Sequence, residues 1–159
     1  MSFAEDFGAD WGRVVGAPML AGIAVTAADP GGLWGAVKES AATAGALRDG
    51  KGSNPLVDAV IAAYGTSEGR DLARGVLRAE VQGRAPAAVA EAALAELGAV
   101  MALVTAKAPD AAPGFRDWLK AVAARVAEAG TEGGFLGFGG EKVSAAEAAT
   151  LEKLAATLA

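Results

Sequence analysis

The stretch PAAVAEAALAELGAVMALV, residues 86–104, decides the fold class. Proline opens it at the first helical position, where a missing N–H costs nothing. Behind it Val89, Ala93, Leu97, Val100, Met101 and Val104 recur at three- and four-residue intervals, the period that lines one face of an α-helix. Alanine, the strongest helix former, fills most of the remaining positions. The run therefore predicts the longest helix of the chain, with an apolar face wide enough to need neighbours on several sides.

Working outward, the same punctuation repeats. Pro113 opens a helix carrying Phe115, Trp118, Leu119, Val122 and Val126, with Gly130 as its stop. Ser144 with Glu147 forms a capping box, and Leu151, Leu154, Ala155 and Leu158 finish the chain as an amphipathic helix. On the N-terminal side, Ser67 is placed to cap a helix reaching about Gln82, with Leu72, Val76 and Ala79 inward. Asn54-Pro55 starts a short helix with Val57, Val60, Ile61 and Tyr64 on one stripe, ended by Gly65. Asp29-Pro30 uses the same device for a helix to about Leu47, stopped by Gly50. Ser2 and Glu5 make a second capping box, followed by the stripe Phe3, Phe7, Trp11, Val14. Pro18 interrupts that stripe and predicts a kink or a fresh start, and residues 18–28 are apolar on every face, as in a helix buried all round. No segment alternates as a strand would, no repeat recurs, and no linker divides the chain. The expectation is an all-α protein: one compact domain over residues 1–159, about seven short helices and no sheet.

Composition narrows the chemistry. The 159 residues include 42 alanines and 22 glycines, and 53% are hydrophobic with only 6% aromatic, so the core is built from small side chains and close backbone packing. Cysteine and histidine are both absent, which removes disulfides, thiolate nucleophiles, histidine bases and the usual soft-metal ligands. No metal and no cofactor is expected. A formal charge of −5 offers no basic footprint for nucleic acid. The acidic start Glu5-Asp6 argues against a secretory signal, and the expected location is the cytoplasm. Mean hydropathy is +0.33, yet the uncharged run Val14–Ala28 is shorter than the ~20 residues of a span and holds Gly16, Pro18 and Gly22. A buried helix is expected there and no transmembrane segment, with weak contact at a membrane surface left open.

Two constellations qualify as binding sites. Arg70, Arg74 and Arg78 stand at four-residue spacing on one helix face, where guanidiniums grip phosphates, carboxylates or an acidic helix. The plainer reading is a solvated face with Asp71 paired to Arg74. The second is Gly133-Gly134-Phe135-Leu136-Gly137-Phe138-Gly139-Gly140, which matches neither phosphate-loop fingerprint. Phe135, Leu136 and Phe138 are expected to plug the core, the alternative being a flap over a pocket or partner surface. No catalytic residue stands out: a Ser–Lys dyad fails because Lys38 and Ser40 are two apart, and the calcium-like run Asp49–Asn54 has Lys51 and Asn54 at the wrong positions.

The run Glu132–Gly140, with Val143-Ser144, Glu147 and Leu151, resembles the C-terminal part of a family of small all-helical bacterial proteins without an assigned activity. Asp29-Pro30-Gly31-Gly32-Leu33 with Lys38-Glu39 fits the same resemblance, which covers about a third of the chain and implies a helical fold only. The turn Gly140-Glu141-Lys142-Val143-Ser144 is similar to that of the tellurite-resistance TerB-like helical proteins, but it lacks the acidic residues that would bind a metal, so no metal site carries over. Together these readings favour a non-enzymatic helical protein that binds a protein partner or forms a homo-oligomer. The alternative is a carrier of an apolar or amphipathic small molecule under residues 133–140, and an enzyme ranks third.

Overall fold

The computed structural model describes residues 2–27, 44–132 and 145–159. Among them all regular secondary structure is helical, with no strand. Helix α1 (Phe3–Phe7) starts as the capping box requires: the Glu5 N–H donates to Ser2 Oγ at 3.3 Å, and the Ser2 N–H donates to Glu5 Oε2 at 2.9 Å. These bonds to Ser2 hold the Glu5 carboxyl below its ordinary range. Gly8, at φ +54°, turns the chain through one 3₁₀ turn into α2 (Trp11–Ala27). Lys107 clamps this corner by donating to the Asp6 carbonyl at 3.0 Å while lying over the Phe7 ring.

Helix α2 is the axis of the molecule. Its buried residues, from Gly12 and Val14 through Leu20 to Val25, lie on every face, as a helix apolar all round demands. It passes unbroken through Pro18, so no new helix starts there. Proline leaves the Val14 carbonyl without its N–H and crowds the preceding turn. One residue further on, the Tyr64 hydroxyl donates to the Val15 carbonyl at 2.6 Å, and several helices pack against α2 around this turn.

Around α2 stand α4 (Ser67–Val81), α5 (Pro86–Lys107) and α6 (Ala112–Glu132); α7 (Ala145–Leu158) packs across α5 and α6, and α3 (Pro55–Tyr64) braces α4. Residues 44–49 are helical as well and end at Gly50, as expected, while the rest of the segment opened by Asp29-Pro30 lies outside the described residues. Asn54 caps α3, accepting from the Leu56 and Val57 N–H groups, and ties it to the α6 start by donating to the Ala111 carbonyl at 3.0 Å. The face of α5 is as predicted, with Val89, Ala93, Leu97, Val100, Met101 and Val104 all buried. This helix is long and apolar enough to cross a membrane by length and composition, and 39% of its apolar window is buried within the fold.

Three boundaries differ from expectation. Thr66, not Ser67, caps α4, accepting the Gly69 N–H at 3.0 Å, because its extended backbone leaves Ser67 as the first helical residue. Helix α6 begins at Ala112 with Pro113 in its first turn, and it continues past Gly130 to Glu132. Ser144 lies outside the described residues, but Leu154 and Leu158 of α7 are buried as expected.

Candidate functional site

The largest departure from the sequence reading concerns how α4 is rolled. Leu72 was placed inward by periodicity, yet it is 39% exposed, the one large hydrophobic residue so exposed among the described residues. Ala79 is exposed as well, while Gly69 and Ala73 are buried. The cause is a pair of glycine contacts. A Cβ on Gly69 would lie 2.1 Å from the Ala63 carbonyl oxygen, and a Cβ on Gly16 would lie 2.9 Å from Val76 Cβ. Backbones that approach this closely bring the small residues to the contact line. Gly69 and Ala73 then sit at the closest approach, Val76 docks onto Gly16, and Leu72 is left at the edge of the helix beside Gly12.

At that edge α2 and α4 diverge into an open groove of about 710 Å³. Ala9, Gly12 and Arg13 form one wall, and Glu68, Asp71, Leu72 and Gly75 form the other. The guanidinium of Arg13 is committed elsewhere: Nε donates to Glu96 Oε1 at 2.6 Å, Nη2 to Glu96 Oε2 at 3.3 Å, and Nη1 to Asp10 at 3.3 Å. The bonds to Glu96 raise the Arg13 pKa further above its already high value. With that cation neutralised, the groove presents an apolar floor and an acidic rim at Glu68 and at Asp71, the latter paired with the exposed Arg74.

The arginine row does not form an anion cradle. Arg70 is drawn back over the end of α3, donating to the Tyr64 carbonyl at 2.9 Å, and Arg74 pairs with Asp71 at 3.0 Å in full view of solvent. Arg78 is exposed and has no ion-pair partner among the described residues. The three line one side of α4 without converging on a point. Phe135, Leu136 and Phe138 lie outside the described residues, and so does the small-molecule site expected under residues 133–140.

A second concavity, of about 410 Å³, separates residues 46–53 from α6. Its polar groups are turned on one another: Arg125 pairs with Asp49, Ser53 Oγ donates to the Gly50 carbonyl at 2.6 Å, and Trp118 Nε1 reaches the Ala46 carbonyl at 3.4 Å. The described residues contain no group of three or more acidic side chains placed to hold a metal ion. Sequence reasoning missed the groove because its making depends on which glycines meet across helices. The local signal was the matched spacing of Gly12 and Gly16 against Leu72 and Val76. No family model, curated protein or solved structure matches this chain.

Proposed function

We propose that this protein works by docking a helical protein segment in the groove between α2 and α4, not by catalysis. The observation that carries the reading is Leu72, a large aliphatic side chain held at the surface next to glycines on both helices. Contiguous apolar surface rimmed by charge is the usual form of a helix-binding groove, read by apolar residues three and four apart on the incoming segment. The acidic rim at Glu68 and Asp71 suits a segment that carries a basic residue beside its apolar stripe. Asn54, Tyr64 and Thr66 each serve as a cap or tie, so their polar groups are spent on structure.

Selection from a library of helical peptides tests this, with the parent protein as bait and Leu72→Glu as counter-bait. The reading expects enriched peptides with apolar residues at helical spacing and a basic neighbour, retained by the parent alone. Peptides held equally by both proteins, or no enrichment, would contradict it.

A further inference from the structure

Helix α4 itself carries the features that its groove selects for. On its exposed face Leu72 is followed by Gly75 and Ala79, at helical offsets that align them along one stripe. A Cβ built on Gly75 would meet nothing within 4 Å, so the helix has a notch open to the outside beside Leu72, which leans on Gly12 with one side and exposes the other. Flanking this stripe on its other side are Asp71 and Arg78, both exposed and of opposite sign. We infer that α4 pairs with α4 of a second copy, antiparallel, about a two-fold axis at Gly75; this rests on the docking reading above and names the occupant.

The register follows from helix geometry. An antiparallel pair crossing at Gly75 sets Leu72 of one copy over Gly75 and Ala79 of the other, a knob entering a notch, twice by symmetry. On the opposite flank the same operation sets Asp71 of each copy beside Arg78 of the other. Arg78 has no competing partner among the described residues. Asp71 has only Arg74, and that pair has side-chain exposures of 62% and 70%, so it is readily exchanged. Glu68 then faces Gln82, which places no like charges together. Because a single helix pair is a small interface, the dimer is weak and reversible.

Sedimentation equilibrium of the full chain over a concentration series tests the pairing, with circular dichroism confirming that each variant is folded. The parent should shift from monomer to dimer as concentration rises. Asp71→Arg alone and Arg78→Asp alone each oppose like charges at two symmetric places, and each should weaken association at least about tenfold, or ~1.4 kcal/mol. The double variant Asp71→Arg with Arg78→Asp restores the pairing and should return close to the parent. A parent that stays monomeric throughout would overturn the inference and leave the peptide selection to judge the groove. A dimer lost in Leu72→Glu but not rescued in the double variant would overturn the antiparallel register while leaving the groove as the docking surface.

Discussion

Replacing Tyr64 by Phe removes one oxygen and leaves the ring, so it isolates the bond from the Tyr64 hydroxyl to the Val15 carbonyl at 2.6 Å. That carbonyl lies in the turn disturbed by Pro18, inside a helix buried on all sides. A typical hydrogen bond contributes about 0.5–1.5 kcal/mol net, and a buried acceptor left without its donor costs about 1–3. The bond is only partly buried. The expected loss is therefore about 1–2 kcal/mol, or roughly 2–8 °C in Tm for a chain of this size. Urea unfolding followed by helical circular dichroism reads it. In a Pro18→Ala background the restored N–H returns to the Val14 carbonyl and leaves Val15 as it was, so Tyr64→Phe should cost the same there to within about 0.5 kcal/mol. A Tyr64→Phe variant as stable as the parent would refute the role of the hydroxyl. A cost that falls in the Pro18→Ala background would refute that independence.

Tyr64 is the only tyrosine, so alkaline absorbance titration reports on it alone. Burial raises the phenol well above its ordinary 10.0. The unfolded chain therefore releases this proton first, and stability is full below that ordinary value and declines as pH rises beyond it. Tyrosinate should appear only together with loss of helicity; ionisation near 10.0 in a fully helical protein would contradict the burial. Gly16→Ala should destabilise by about 1–3 kcal/mol, because its Cβ would meet Val76 at 2.9 Å. Gly12→Ala meets Leu72 at an ordinary 3.4 Å and should be neutral or stabilising by up to ~1 kcal/mol; like signs in denaturant melts would count against the close packing of α2 on α4. Asn54→Ala loses both the α3 cap and the tie to Ala111 and should cost about 1–2 kcal/mol, whereas an unchanged melt would show the cap to be redundant.

What could be read from the sequence was local. The capping box at Ser2, the Asn54-Pro55 start and the apolar face of α5 depend on residues a few positions apart, and each is found where expected. The close-packed, alanine-rich interior was legible from composition, and Gly16 against Val76 is an instance of it. The roll of α4 was not legible, since periodicity gives the width of an apolar face but not which edge of it meets the neighbour. That was decided by contacts of Gly69 with Ala63 and of Gly16 with Val76, across helices that the sequence does not pair. Continuity through Pro18 was not legible either, because the sequence does not show which helices pack around α2 at that point. Arg70, Arg74 and Arg78 all lie in α4. Their local bonds to Tyr64 and Asp71 favour the plainer of the two readings of this row.

Docking in the groove between α2 and α4 requires Leu72 to be a surface residue and not a core residue. The unfolding free energy of Leu72→Glu, measured beside Leu97→Ala, tests that most directly. Leu97 is fully buried in α5, and its truncation should cost about 2–5 kcal/mol. Leu72→Glu should stay within about 1 kcal/mol of the parent, as substitutions on exposed surface do. A loss for Leu72→Glu as large as that of Leu97→Ala would place Leu72 in the core and remove the groove as a docking site.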